Sequence, residues 1–350
     1  MGGSVAIVAA SWSYALLLTG WFILHRYFGD RRWPLALLAP FAPHFFWLIP
    51  LQIGAALWLP RVYSWLSWLA VAPPLLIFGW LYADYFGRQT APAPVKAAST
   101  FALMTFNIWW QSQQRTTART PLAIGASTGA APDVVAFQEL LPPMAQLVAT
   151  ETAHLYPHRL FDVDDAATAR RLGVISRYPL EPVDASHLQA KDFRVQMVRV
   201  HLPQRPILLY NIHPRATLIA RYLREGGPLG PRVTQSFAGR RAYFERMLTD
   251  VVSRREPLIV AGDFNSTDLS DVYKLLCGPL VDAHRTAGWG WGHTFPMHGA
   301  DFGGLPVPRR LMRLDMIFCS PDLLPIACRV ARIHGESDHL PVLATFGWRN

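Results

Sequence analysis

LIVAGDFN, at residues 258–265, places four apolar residues before a glycine and ends with the polar pair Asp263 and Asn265. An apolar run of this length, closed by turn residues, is typical of a buried strand. Similar runs recur along the chain, most of them with polar residues near one end. The predicted strands are FALMTFNIWW (101–110), VVAFQEL (134–140), LGVISRYP (172–179), VQMVRVHL (195–202), ILLYNIHP (207–214), LIVAGDFN (258–265), LDMIFCS (314–320) and LPVLATF (340–346).

A helix is predicted between two of these strands. Residues 234–254 (TQSFAGRRAYFERMLTDVVSR) place apolar side chains close to helical spacing. Alternating strands and helices predict a layered α/β or α+β domain. We assign this domain to residues 99–350, which is long enough for one substantial core.

Carboxylate, amide and imidazole side chains stand at the ends of the predicted strands. One such residue alone is more often a turn residue or a helix cap. The complete set instead favours a single site, because strands can hold polar groups rigidly at one rim of a sheet. The candidate site residues are Asn107, Glu139, His213, Asp263, Asn265, Asp315, Asp338 and His339.

Seven short motifs in the domain resemble those of the endonuclease/exonuclease/phosphatase superfamily. That superfamily includes pancreatic-type deoxyribonuclease, abasic-site endonucleases, neutral sphingomyelinases and inositol-polyphosphate phosphatases. The resemblance implies a deoxyribonuclease I-like four-layer α/β sandwich, with two mixed β-sheets flanked by helices. The motifs are TFN (105–107), FQE (137–139), GVISR (173–177), NIH (211–213), GDFN (262–265), RLD (313–315) and SDHLPV (337–342).

The residue types suit a Mg²⁺ site, with Mn²⁺ as an alternative ion. Mg²⁺ prefers oxygen ligands and keeps several of its waters, so one or two carboxylates are enough. We expect Glu139 to be the principal ligand, assisted by Asn107 and Asp338. The ion would neutralise charge on a scissile phosphate while a water attacks in line.

Roles for the other site residues follow from the resemblance. It implies that His339 contacts the phosphate and that Asp315 orients this histidine. Asp263 and Asn265 are implied to serve the nucleophilic water and the phosphoryl oxygens. His213 matches a second histidine that serves as a phosphate ligand or an acid. The residues alone leave open whether His339 or Asp263 activates the water, and whether the substrate is a phosphate monoester or diester.

Three further residues are candidates for substrate binding: Arg215, His293 and Arg313. His293 lies in GWGWGHTFP (288–296), which resembles a substrate-side loop of bacterial members; a structural turn with buried tryptophans is the alternative. Arg215 opens the stretch 214–232, which we interpret either as an amphipathic excursion over the pocket or on a membrane, or as a solvated loop.

The first third of the chain is apolar enough to predict a membrane anchor. Residues 1–95 hold two acidic and five basic residues, against 16% charged residues overall. A membrane-spanning helix needs about 20 mainly apolar residues, and we predict three such helices at 5–24, 35–59 and 63–83. Prolines in the second could also mark a kinked or re-entrant segment. The anchor would occupy residues 1–89. A Pro/Ala linker at residues 90–98 would separate it from the domain.

Orientation in the membrane rests on two conflicting indications. The first loop holds Arg26, Arg31 and Arg32, and the second only Arg61, which by the positive-inside rule favours a cytoplasmic domain. Resemblance to bacterial members with N-terminal spans favours an extracytoplasmic catalytic domain. We predict a multi-pass integral membrane protein with an extracytoplasmic domain.

The leading prediction is a membrane-anchored phosphoesterase acting on a lipid-linked phosphate at the bilayer. A nuclease acting on DNA or RNA is the first alternative, although residues 99–350 carry only a modest positive charge, with 27 basic and 22 acidic residues. A non-catalytic protein that binds phosphorylated ligands is the second. No protein partner is predicted. Among the three cysteines, Cys319 and Cys328 are expected to be small core residues.

Overall fold

The computed structural model describes residues 2–87, 100–162, 171–190, 192–297, 301–302, 305–306 and 308–349. The predicted Pro/Ala linker at 90–98 lies outside these residues.

The apolar N-terminal region forms three helical stretches, each long and apolar enough to cross a membrane. The first and third are continuous helices, α1 (Gly2–Phe28) and α5 (Arg61–Phe86). The second is broken into α2 (Trp33–Leu38), α3 (Ala42–Phe45) and α4 (Ile49–Trp58), joined by 3₁₀ turns. Each piece starts with a proline in its first turn, where the missing N–H costs nothing. The prolines thus give a kinked segment in place of one continuous helix.

Large apolar side chains cover the outer surface of these helices. Leu17, Trp58, Leu76 and Trp80 are each more than 70% exposed. An apolar patch of this extent on a water-soluble surface would be unusual. Its composition suggests contact with a bilayer.

The rest of the described chain carries fourteen strands. They are β1 (Phe101–Asn107), β2 (Val134–Gln138), β3 (His158–Phe161), β4 (Leu172–Ser176), β5 (Leu180–Val183), β6 (Phe193–Val200), β7 (Ile207–Pro214), β8 (Leu258–Asp263), β9 (Val281–Asp282), β10 (Asp301–Phe302), β11 (Leu305–Pro306), β12 (Asp315–Cys319), β13 (Leu323–Val330) and β14 (Val342–Trp348). Seven further helices accompany them: α6 (Arg115–Ala118), α7 (Thr120–Thr128), α8 (Pro142–Thr152), α9 (Ile219–Glu225), α10 (Leu229–Ser253), α11 (Asp271–Leu276) and α12 (Ala283–Ala287).

Two six-stranded mixed sheets form the centre of the described domain. One has the strand order β13-β14-β1-β2-β4-β3 and the other β5-β6-β7-β8-β12-β9. Each contains one parallel pair, β1 with β2 and β7 with β8, among antiparallel neighbours. Strands β10 and β11 form a separate small hairpin.

Three apolar clusters hold the layers together. The cluster between the sheets joins side chains such as Leu103 and Val134 to Leu209 and Ile317, and it includes the buried cysteines Cys319 and Cys328. A second packs α10 and α11 onto one outer face, and a third packs α6, α7 and α8 onto the other. The order helix, sheet, sheet, helix confirms the four-layer α/β sandwich that the sequence predicted.

The N-terminal helices pack directly against the sandwich. Asp30 and Asp271 accept hydrogen bonds from each other's backbone N–H, at 2.8 and 3.2 Å. Arg285 donates to Asp84 at 2.8 Å, and the ring of Trp291 packs into the helical cluster. These contacts join the N-terminal helices directly to the sandwich.

Candidate active site

Pairing between strands brings the predicted site residues to one rim. Asn107 ends β1, and Gln138 beside it in the parallel strand β2 precedes Glu139. In the other sheet, Asp263 ends β8 and lies directly opposite Asp315, the first residue of β12. His213 lies near the end of β7, parallel to β8. The sandwich therefore delivers polar groups from both sheets to one edge.

Two of these residues have backbone conformations that side chains rarely adopt. Glu139 has φ +59° and Asn265 has φ +46°. Left-handed conformations of non-glycine residues cost about 1–3 kcal/mol and cluster at functional sites. Both residues follow the end of a strand, Glu139 after β2 and Asn265 after β8.

Asp263 is the hydrogen-bonding centre of the site. Its Oδ2 accepts from Asn107 Nδ2 at 3.0 Å and from Asn265 Nδ2 at 3.2 Å, and its Oδ1 accepts from the Asn265 backbone N–H at 2.9 Å. Asn107 Nδ2 also donates to Glu139 Oε1 at 3.2 Å. Asn107 therefore links the carboxylates of the two sheets.

Both histidines face this carboxylate. His213 Nε2 lies 3.7 Å from Asp263 Oδ2 and 3.6 Å from Glu139 Oε1. His339 Nε2 lies 3.8 Å from Asp263 Oδ2. The other nitrogen of His339, Nδ1, is hydrogen-bonded to Asp315 Oδ2 at 2.8 Å. Asp315 thus fixes the orientation of the His339 ring.

The surrounding carboxylates set the charge of His339. Burial alone would lower the pKa of its imidazole, but the carboxylates of Asp315 and Asp263 together raise that pKa well above its ordinary value. These two carboxylates therefore favour the protonated form of His339, whose Nε2 faces Asp263.

Three carboxyl groups carry raised pKa values. Burial raises the pKa of Glu139 and of Asp263. Burial, together with the charges on Glu139 and Asp263, raises the pKa of Asp338 to about 6. Asp338 Oδ1 is also buried without a hydrogen-bond partner among the described residues. Clustered, desolvated carboxylates of this kind are the environment that a divalent cation stabilises.

A second group of metal-ligand atoms consists of Asp263, Asp315 and His339, which lie within 4.8 Å of one another. In this group Asp315 and the His339 Nδ1 atom are already joined by a hydrogen bond. Glu139, Asp338 and Asn107 also have oxygen atoms suited to Mg²⁺. Asp338 Oδ1 in this set and Asp315 Oδ1 in the other are each buried without a hydrogen-bond partner among the described residues.

The site opens into a cavity of about 1040 Å³ between the sandwich and the second helical stretch. One end is polar and contains Glu139, His213, Asp263, Asn265, Asp338 and His339. The remaining wall is largely apolar and comes from both parts of the chain. Its apolar residues include Ala36, Leu37, Ala39, Pro40, Phe41, Trp47, Leu218, Ile219, Phe237, Phe295, Leu311, Met312 and Leu314.

The three predicted substrate-binding residues have different surroundings. Arg215 lines the cavity, but its guanidinium donates to Asp192 at 2.9 Å. His293 is buried beside His44, and its Nδ1 is hydrogen-bonded to the Arg310 carbonyl at 2.9 Å. Neither contacts the polar end of the cavity in the contacts described.

Arg313 does not suit the predicted substrate-binding role. It is 3% exposed and forms a two-pronged ion pair with Asp282, with N–O distances of 2.6 and 2.8 Å. Burial would lower its pKa, but Asp282 raises the value well above the usual range. A guanidinium committed in this way is structural. The sequence motif that drew attention to Arg313 gives no sign of its partner, 31 residues away.

Several residues that position the site were not predicted. Ser337 Oγ donates to the Asn107 carbonyl at 2.6 Å and accepts from the His339 backbone N–H at 3.0 Å. Arg240 donates to the Asn265 carbonyl at 2.7 Å and is buried in α10. A basic residue at a buried position of an amphipathic helix was the available signal. The backbone N–H of Trp110 donates to Glu139 Oε2 at 2.9 Å. No sequence pattern predicts this backbone contact.

Comparisons with known proteins agree with this geometry. The profile of the Endonuclease/Exonuclease/phosphatase family matches residues 104–339. A solved endonuclease/exonuclease/phosphatase from Bacteroides vulgatus shares 21% identity with a TM-score of 0.50, covering 71% of this chain and 99% of that one. D. rerio TDP2, complexed with single strand DNA product, shares 17% identity with a TM-score of 0.52 over the same shares of the two chains. Both likenesses show the fold. No curated protein gives a significant match.

Proposed function

Since this chain belongs to the endonuclease/exonuclease/phosphatase family, we propose that it is a membrane-anchored, Mg²⁺-dependent phosphoesterase that hydrolyses a lipid-linked phosphate ester. Family members are metal-dependent phosphoesterases and nucleases acting on phosphate esters. The observation that carries the choice among them is the shared cavity, which joins the polar site to an apolar wall built by the N-terminal helices.

The cavity suits a substrate with two chemically different ends. A phosphate group fits the polar end beside His339 and Asp263, and a hydrocarbon chain fits the wall formed by Leu37, Phe41 and Leu218. Burying a hydrocarbon chain gains about 0.8 kcal/mol per CH₂ group. A substrate without a chain would leave this wall uncovered.

Glu139, Asp338 and Asn107 would hold the Mg²⁺ ion, with Mn²⁺ as a substitute. Their fit rests on the carboxyl pKa values raised by burial and on the unpaired buried oxygen of Asp338. When bound, the ion supplies positive charge that stabilises the phosphate and its leaving oxygen.

The protein groups around Asp263 favour it over His339 as the activator of water. Asp315 holds His339 Nδ1, and the neighbouring carboxylates raise the pKa of its imidazole, which favours binding of a phosphoryl oxygen through Nε2 over acceptance of a proton. Asp263 is fixed by Asn107 and Asn265 and can accept the proton of a water that attacks phosphorus. The bond from phosphorus to the leaving oxygen then breaks, and we assign protonation of that oxygen to His213, whose Nε2 lies 3.7 Å from Asp263 Oδ2.

Nuclease activity is the second candidate, and the D. rerio TDP2 structure with single strand DNA product is what favours it. Nucleic-acid binding would require arginines for phosphate contacts. Three arginines that could serve are already in ion pairs: Arg313 with Asp282, Arg215 with Asp192 and Arg221 with Glu225. Arg309 and Arg310 are exposed beyond the site. The ion pairs of Arg313, Arg215 and Arg221 are what count against the nuclease.

The test is Mg²⁺-dependent hydrolysis by the purified full-length protein in lipid nanodiscs. The substrates are an isoprenyl phosphate, a glycerophospholipid, sphingomyelin and single-stranded DNA, each with and without a chelator. Glu139→Ala and His339→Ala serve as inactive variants, and Glu181→Ala, at an exposed position away from the site, as their control. We expect chelator-sensitive release of phosphate or headgroup from one lipid class, lost only in the site variants. Cleavage of DNA with every lipid untouched would favour the nuclease instead.

A further inference from the structure

Residues 311–314 lead into β12 and Asp315, and the second helical stretch contacts them directly. His44 Nε2 is hydrogen-bonded to the Leu311 carbonyl at 3.2 Å. Leu311, Met312 and Leu314 form a small buried cluster, against which Phe41 packs. The backbone that leads to Asp315, whose carboxylate orients the His339 ring, therefore packs against the second helical stretch.

The third helical stretch contacts the same residues from α5. Tyr85 is 1% exposed, and its hydroxyl accepts from Arg313 Nη1 at 3.2 Å while donating to the Asp268 carboxylate. The backbone carbonyl of Tyr85 accepts from the Gly290 N–H at 2.8 Å. The Tyr85 side chain thus contacts Arg313 and Asp268, and its backbone contacts Gly290.

Arg313 transmits this contact to the active site. Its guanidinium is held between Tyr85 and Asp282, and Leu314 and Asp315 follow it in the chain. The backbone N–H groups of Leu314 and Asp315 both donate to Thr294 Oγ1, at 3.2 and 3.3 Å. A shift of Arg313 would therefore move Asp315 relative to His339. Displacements of about 1 Å at a catalytic group can cost roughly 10²-fold in rate.

We propose that the membrane helices are a positioning element of the active site, in which the Tyr85 hydroxyl holds Arg313 and through it the Asp315–His339 pair. The anchor then does more than keep the enzyme at the bilayer: hydrolysis requires α5 to be docked on the sandwich. Tyr85 is a positioning residue and does not touch the substrate. The inference relies on the proposed hydrolysis but not on a lipid-linked substrate.

The first test is Tyr85→Phe in the full-length protein, which removes only the hydroxyl. The substrate is a small soluble aryl phosphate ester, so binding of a hydrocarbon chain plays no part. We expect kcat to fall about tenfold while KM stays within about twofold. Tyr82→Phe is the matched control: Tyr82 is an equally buried tyrosine one turn earlier in α5, and its hydroxyl has no hydrogen-bond partner in the described part of the chain.

A double-mutant cycle shows whether Tyr85 acts through Asp315. In an Asp315→Asn background, Tyr85→Phe should change kcat by less than about twofold, because coupled residues are not additive. Hydrogen exchange of residues 311–319 should also speed up in Tyr85→Phe and not in Tyr82→Phe. Unchanged kcat, equal losses in both tyrosine variants, or the same tenfold loss in both backgrounds would overturn the inference. These outcomes are independent of whether lipids are hydrolysed, so they stand apart from a failure of the proposed substrate class.

Discussion

Asp315 and Asp263 lie opposite each other on the antiparallel strands β12 and β8, and His339 contacts both carboxylates. Two acids on paired strands thus flank one imidazole ring. This arrangement lets a rigid sheet fix the position of the His339 ring and raise its pKa.

Asp315→Asn removes the negative charge at this position and keeps the size and shape of the side chain. The amide carries no negative charge to raise the pKa of the His339 imidazole, so we expect kcat to fall roughly 10²-fold or more, while Mg²⁺ affinity changes little because Asp315 is not in the proposed ligand set. Steady-state hydrolysis and titration calorimetry measure the two effects. Asp184→Asn, on the exposed surface, is the control. Loss of Mg²⁺ binding in Asp315→Asn would instead place Asp315 among the metal ligands.

Gly262 is required by the close approach of β7 and β8. It has φ +154°, and a Cβ there would lie 2.0 Å from the Ile212 carbonyl oxygen. We expect Gly262→Ala to lower the free energy of unfolding by about 3 kcal/mol, measured by urea denaturation in detergent, and to abolish hydrolysis. Gly239→Ala, in α10 with no atom within 4 Å, should be neutral or stabilising by up to about 1 kcal/mol. Equal effects of the two changes would contradict this account.

The ion pair of Asp282 and Arg313 should make stability depend on pH. Burial would raise the pKa of Asp282, but Arg313 lowers it to about 2, against 3.8 ordinarily. The folded pKa is thus below the unfolded one, so the pair's contribution is fully present above pH 3.8 and is lost as pH falls toward 2. Asp282→Asn should lower the free energy of unfolding by about 3 kcal/mol at pH 7 and by less near pH 2. A loss that is the same at both pH values would refute the assignment.

The side of the membrane can be read from a reporter thiol. Ala130 is exposed in the loop between α7 and β2, and Cys319 and Cys328 are buried. In a Cys277→Ser background, Ala130→Cys should react with a membrane-impermeant maleimide on intact cells if the domain is extracytoplasmic, as predicted. Labelling only after the cells are lysed would place it in the cytoplasm. Cys277→Ser alone is the unlabelled control.

The interior of the fold was predictable because buried strands are continuous apolar runs. The eight predicted strands correspond to strands of the two sheets, and the predicted helix at 234–254 corresponds to α10. Six strands were missed: β3, β5, β9, β10, β11 and β13. Each is at or next to a sheet edge. Strands β5 and β13 also contain Pro182 and Pro325, and proline is not expected inside a buried strand.

The site residues stand at the strand ends that the sequence indicated, but their roles remain predictions. The sequence could not show that Arg313 is paired with Asp282, or that Asp30 meets Asp271 across 241 residues. Those contacts arise only when the helices dock on the sandwich. The apolar wall of the cavity could not be predicted for the same reason, since Leu37 and Leu218 come from separate parts of the chain.

The most direct measurement of the central claim is kcat/KM for phosphate esters that share a headgroup and differ in hydrocarbon chain length. We predict that kcat/KM rises with chain length in the wild-type protein. The rise should disappear in Leu37→Trp, which fills the cavity, and persist in Leu38→Trp, whose neighbouring position is exposed. A kcat/KM independent of chain length in the wild type would contradict the claim that the cavity holds a lipid chain.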